Sequence, residues 1–234
     1  MESLSILKNT HEARPRGFSL LEMVIVLAII GLITGILLLG ENDFNHSIVL
    51  TDTAYTIAFT FREAQSRGLS SRVFSNSGTN ILNSGYGVHF DRTKPATYDL
   101  FADVSPSQPT SGGTNGLCPS SAPPGTPEAR PGDCIYTVGS DAIVRSFVFN
   151  RNYTISDICA TGSSGKDCAS GSNLDTLDVV FQRPSTDSNI IGTKNGTSRA
   201  YTSAGITVKS PDGKSTRCIS ISKVGQIAVI ATCP

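Results

Sequence analysis

The chain has no tryptophan, only three histidines, no net charge, and no cysteine before residue 118. Each absence excludes something. Zero net charge gives no global attraction to nucleic acid or to an anionic membrane surface, so a DNA role would need a local patch. His11, His46 and His89 lie beside no cysteine, and no Cys-x-x-Cys pair occurs, which removes the usual ligand spacings for zinc. No Gly-x-Ser-x-Gly elbow and no EF-hand spacing is present, so neither a serine hydrolase nor a dedicated calcium loop is indicated. No internal repeat is found, and neither a cofactor nor a metal is expected.

What is present begins with a long apolar run. Residues 17–40 carry one charge, Glu22, in a stretch long enough to span a bilayer. An acid inside such a stretch costs at least a few kcal/mol on insertion scales and asks for a partner. A secretory signal would place a shorter apolar core before a small-residue cleavage site. Here the basic Arg14 and Arg16 and the small Gly17 come first, and the run ends in the polar Glu41, Asn42 and Asp43. A plain single-span anchor is the alternative, and it leaves Glu22 without a purpose.

The six cysteines all lie on one side of the apolar run, as in a chain segment exposed to an oxidising compartment. Six allow 15 pairings. Arg217–Ser222 and Ile227–Thr232 read as a hairpin that places Cys218 nearly opposite Cys233. Cys159 and Cys168 flank a small flexible loop, and Cys118 and Cys134 bracket a Pro- and Gly-rich stretch, so three sequential pairs are assigned.

Residues 42–68 read as an amphipathic helix, with Phe44, Ile48, Tyr55, Ala58, Phe61 and Gln65 toward a core, Arg62 and Glu63 outward, and Gly68 as its stop. Gly31, Gly35 and Gly40 interrupt the apolar helix and permit either close helix contact or local melting. Beyond Ser70 the period changes. Short β-branched or aromatic runs at 86–90, 97–102, 135–138, 142–149, 177–181 and 204–209, with the terminal hairpin, indicate an α+β fold with antiparallel sheets. Residues 103–133 read as an exposed insertion and 183–200 as an adaptable surface loop.

Arg14-Pro-Arg-Gly-Phe-Ser-Leu-Leu-Glu22 resembles the class III signal of type IV pilins and type II secretion pseudopilins. The resemblance implies a leader at 1–17, cleavage between Gly17 and Phe18 by prepilin peptidase, and N-methylation of Phe18. It also implies a transmembrane assembly helix at 18–40, anchored in the plasma (inner) membrane before incorporation, and an extracytoplasmic globular domain at 41–234. Glu22 matches the acidic position that meets the N-terminal amine of a neighbouring subunit. The expected function is structural, not enzymatic: a minor subunit of a pilus or secretion pseudopilus.

Arg62-Glu-Ala-Gln-Ser-Arg-Gly68, Tyr86-Gly-Val-His-Phe-Asp91, Leu177-Asp-Val-Val-Phe181 and the stretch from Cys218 to Val229 are similar to the GspH/FimT group of minor pilins. That similarity implies two small antiparallel sheets packed on the helix, and a tip or initiation role. Some members bind DNA through a basic C-terminal stretch. Here Gly225 is followed by Gln226 and the last strand has no basic residue, which leaves Lys209, Lys214, Arg217 and Lys223 as the one candidate patch. Asp99, Asp103, Asp175 and Asp178 are the acids that a calcium ion would have to use. The sequons at Asn45, Asn152 and Asn195 are read as incidental.

Overall fold

In the computed structural model, described at residues 17–70, 74–76, 79–81, 84–105, 118 and 131–233, one long helix precedes an all-antiparallel β region. The chain divides into two compact units, residues 1–44 and 45–234. Helix α1 (Leu20–Leu69) contributes its first half to one and its second half to the other. It runs without a break through Gly31, Gly35 and Gly40, so the glycines do not interrupt it. In the first unit, Leu20–Leu37 is long and apolar enough to cross a membrane, and none of it is buried.

The strands of the second unit are β1 (Phe74–Asn76), β2 (Thr79–Ile81), β3 (Gly85–Asp91), β4 (Thr97–Asp103), β5 (Ala142–Val148), β6 (Thr154–Gly162), β7 (Gly165–Cys168), β8 (Thr176–Phe181), β9 (Ser188–Lys194), β10 (Thr197–Tyr201), β11 (Ser203–Lys209), β12 (Thr216–Ser222) and β13 (Ile227–Ile230). β1 and β2 form a small hairpin. The first large sheet has the order β10-β9-β8-β3-β4-β5 and the second β13-β12-β11-β6-β7. The chain passes from the first sheet to the second at Arg151 and Asn152, both at positive φ (57° and 59°), which explains an asparagine at this corner without glycosylation.

One core joins the helix to both sheets. Leu50, Ala54, Ile57, Phe61 and Ala64 of α1 pack with Val88, Phe90 and Val179 of the first sheet and Ile206 and Ile219 of the second. The helix phase differs in part from the expected one: Ala58 and Phe61 are buried as expected. Ile48 and Tyr55 point outward, at 52% and 56% exposure, and Phe59 joins them at 74%. The buried stripe mixes the large Leu50, Ile57 and Phe61 with the small Ala54, Ala58 and Ala64. Gly68 lies inside the helix and does not stop it: a Cβ there would collide with the Phe181 carbonyl of β8. Gln65 is half-buried and donates from Nε2 to the carbonyls of Thr186 (3.2 Å) and Gly225 (3.5 Å).

Three further expectations are corrected. Residues 135–138 form no strand; Ile135 and Tyr136 lie in an irregular segment that covers Phe101, Val180 and Ile191 on the outer face of the first sheet. Residues 183–200 are no adaptable loop but hold β9 and β10, whose two-residue turn at Asn195 and Gly196 (φ 48° and 75°) matches the Asn-Gly preference of tight hairpins. The segment between Cys159 and Cys168 is likewise a hairpin, β6–β7, in which the two cysteines face each other. Much of the expected 103–133 insertion lies outside the described residues, but Asp103 belongs to β4 and is fully buried.

Disulfides join Cys118 to Cys134, Cys159 to Cys168 and Cys218 to Cys233, with Cα separations of 5.5, 4.1 and 5.3 Å. Gly205 of β11 makes room for the last: a Cβ there would sit 2.7 Å from Cys233 Sγ.

Candidate functional site

The N-terminal segment is built around a helix start. Ser19 precedes Leu20, the first helical residue, and its Oγ accepts the Glu22 N–H at 3.2 Å while its carbonyl accepts the N–H groups of Glu22 (3.1 Å) and Met23 (3.2 Å). Ser19 is therefore the N-cap and Glu22 stands three residues in, in the first turn, where the helix dipole favours an anion. This role is absent from the sequence reading, although Ser-Leu-Leu-Glu carries the Ser-x-x-Glu capping pattern that signals it. Glu22 is thus useful to the helix itself, and its exposed side chain remains open to a second role.

Gly17 and Phe18 sit outside the helix, and Phe18 is 78% exposed. A Cβ on Gly17 would meet nothing within 4 Å, and no left-handed φ is found there. Packing and backbone conformation place no demand for glycine at this position. Gly31 and Gly35 are equally free of neighbours.

The other candidate groups fall apart in space or are already in use. Asp175 pairs with Arg92 at 3.1 Å. Asp178 is fully buried at the middle of β8 and accepts from His89 Nδ1 at 2.7 Å, and the His89 ring lies 4.6 Å from that of Tyr136. Asp103 accepts the N–H groups of Asp133 (3.1 Å) and Cys134 (2.9 Å). Asp141, absent from the sequence reading, accepts those of Val104, Ser105 and Thr137 at 2.9, 2.9 and 2.7 Å. Burial pushes the carboxyls of Asp103, Asp133, Asp141 and Asp178 up; for Asp103 the Asp141 charge adds to it, and for Asp178 the His89 contact opposes it. Asp103 and Asp141 fasten the irregular segment 131–141 to the first sheet. Among the described residues, acids gather with cysteines only around sulfurs that are already oxidised to disulfides, which are not thiolate ligands.

Of the basic residues, Lys209, Lys214 and Arg217 gather at the β11–β12 turn, and Lys223 lies apart from them. Lys209 ends β11 opposite Thr216, and Arg217 pairs with Val208, at one end of the second sheet. Lys223 follows Ser222 at the other end, six residues along a strand from Arg217 and so roughly 20 Å away.

A family model described as the prokaryotic N-terminal methylation motif matches residues 13–38. No curated protein and no solved structure matches the chain. The matched segment holds Gly17, Phe18, Ser19 and Glu22 together with the whole apolar stretch Leu20–Leu37. The chain therefore carries the N-terminal methylation motif found in type IV pilin-like proteins, ahead of an α+β fold with a long N-terminal helix and antiparallel sheets.

Proposed function

We propose that the protein is a structural subunit of a type IV pilus or of a type II secretion pseudopilus, of the GspH/FimT kind. Its precursor is held in the plasma membrane by residues 18–40, with the globular domain outside the cytoplasm. Prepilin peptidase cuts between Gly17 and Phe18, Phe18 is methylated, and the apolar helix then passes from lipid into a bundle of like helices. The observation that carries this reading is the methylation motif at 13–38, which takes in the apolar stretch Leu20–Leu37 of α1, none of it buried.

Two features support it. Gly17 lacks a packing or conformational role, which leaves access for a protease as the reason for glycine. Cleavage would also create an ammonium at Phe18, beside the positive end of α1, and burial of that charge needs a carboxylate such as Glu22 from a neighbour. The exposed Tyr55 and Phe59 offer apolar surface of the sort that subunit contacts cover.

The test is the intact mass of the protein taken from membranes of cells that have prepilin peptidase, with and without reduction. The expected mass is that of residues 18–234 plus one methyl group, rising by six hydrogens on reduction of the three disulfides. An uncut precursor would leave a single-span anchored domain and remove the filament reading.

A further inference from the structure

The β9–β10 hairpin at the edge of the first sheet and β7 at the edge of the second border a cleft of about 420 Å³. That volume falls in the range of small-molecule sites, roughly 300–1,000 Å³. On one face of the hairpin, Lys194 faces Thr197 and Ile190 faces Tyr201, but the residue facing Arg199 is Gly192, so one row lacks a side chain. The space is taken by neighbours: a Cβ on Gly192 would lie 2.4 Å from Leu174 Cδ1 and 2.7 Å from Tyr201 Cε2, so the glycine lets the Tyr201 ring lie against the hairpin as the floor of the cleft.

The polar groups are held in place. The Tyr201 hydroxyl donates to Asp167 Oδ2 at 2.8 Å, and burial together with this bond pushes the phenol up to about 12. Lys194 Nζ donates to Asn173 Oδ1 at 3.0 Å, which turns the Asn173 amide nitrogen away as a donor. Among the described residues no carboxylate lies in ion-pair range of Arg199 or Lys194, since Asp167 is engaged by Tyr201 and Asp175 by Arg92.

The lining is polar, so an apolar ligand is excluded. The lining supplies several donors and an acceptor: the guanidinium, the ammonium, the Asn173 amide, the Thr197 hydroxyl and the remaining Asp167 oxygen. That mixture suits a ring bearing several hydroxyls. Two cations against one carboxylate add a demand for one negative charge. We propose that this cleft binds an acidic sugar, with Arg199 and Lys194 on its carboxylate and Asp167, Asn173 and Thr197 on its hydroxyls. The proposal does not rest on the filament reading.

The experiment is saturation-transfer difference NMR on the full chain in detergent micelles, with D-glucuronate as probe and D-glucose and inorganic phosphate as comparators. Glucuronate should receive saturation and glucose should receive little. Phosphate should fail to displace glucuronate at equal concentration. R199A and K194A alter exposed side chains, and each should weaken glucuronate binding roughly fivefold to tenfold without changing the unfolding temperature. Absence of transfer to glucuronate, equal transfer to glucose, full displacement by phosphate, or binding unchanged in both variants would each overturn the assignment.

Discussion

Glu22 occupies a position where two demands on one side chain can be pulled apart. As the third residue after the Ser19 cap it steadies the helix start; as an exposed carboxylate it is available to another subunit's ammonium. Glutamine preserves capping geometry but not charge, and alanine preserves neither. If the charge recruits a neighbour, E22Q and E22A precursors should both be cleaved normally yet appear in sheared filaments or cross-linked pseudopili at a small fraction of the wild-type level. S19A should assemble, since loss of a cap costs about 0.5–2 kcal/mol of helix stability but no charge. Normal assembly of E22Q would remove the charge role. Glycines divide in the same way. Gly17→Ala should leave the unfolding midpoint unchanged and slow cleavage, whereas Gly68→Ala should destabilise. Alanine gains about 1 kcal/mol of helix propensity at position 68. The clash, however, is with the Phe181 main chain, which cannot swing aside as a side chain would, and overpacking costs about 1–3 kcal/mol. A urea midpoint for Gly68→Ala at or above wild type would show that β8 yields.

Within α1, the phase of the helix tells which apolar residues hold the fold and which wait for another surface. Ile57 is fully buried against both sheets, and Phe59, two positions on, is 74% exposed. Ile57→Ala should cost about 2–5 kcal/mol. Phe59→Ala should change stability by no more than about 0.5 kcal/mol, although the residue is the larger. Denaturant unfolding of the two variants checks the ordering, and a Phe59→Ala loss as large as that of Ile57→Ala would place the stripe wrongly. Size is a misleading guide in this helix. Spacing by three and four selects Ile48 and Tyr55 along with Phe61, while the sheet-facing side joins Leu50, Ile57 and Phe61 to Ala54, Ala64 and Gly68, whose small volume carries no hydrophobic signal and at Gly68 allows close approach. Strands rich in β-branched residues, such as β8 and β12, were legible from composition. β6, β7, β9 and β10 were not, because their Gly, Ser, Asn, Thr and Lys residues resemble loop chemistry until tight turns at positive φ join them. Ile135 and Tyr136 show the converse: apolar character marked burial, and the burial is that of a cover with no ladder of its own. The methylation motif was legible because it is contiguous. His89 and Asp178 lie 89 residues apart and meet only through the β3–β8 register, which the sequence does not print.

Across the whole β region, Asp103, Asp133, Asp141 and Asp178 share one consequence, since all have carboxyls raised from the usual 3.8, chiefly by burial. A carboxyl whose folded pKa is raised takes up a proton in the native state before the unfolded chain does. Between 3.8 and the raised values the native state therefore binds more protons, and stability falls as pH rises through that window. Asp91 and Asp212 act with the opposite sign, because their carboxyls are lowered and lose their contribution only as pH falls below 3.8. The unfolding temperature should thus be higher at pH 5 than at pH 7.5. Only the part of each rise that lies above pH 5 shows in this comparison, so the difference is carried chiefly by Asp103, whose carboxyl is raised well above 3.8. Asp103→Asn imitates the protonated form, keeps one oxygen to accept a segment 131–141 N–H, and should flatten that part of the profile by stabilising at pH 7.5 more than at pH 5. A wild-type unfolding temperature that drops steadily from pH 7.5 to 5 would mean that the N–H groups around Asp103 and Asp141 outweigh the cost of burying their charge. The segment they fasten would then be held by ionised carboxylates, and Asp103→Asn would loosen it at neutral pH.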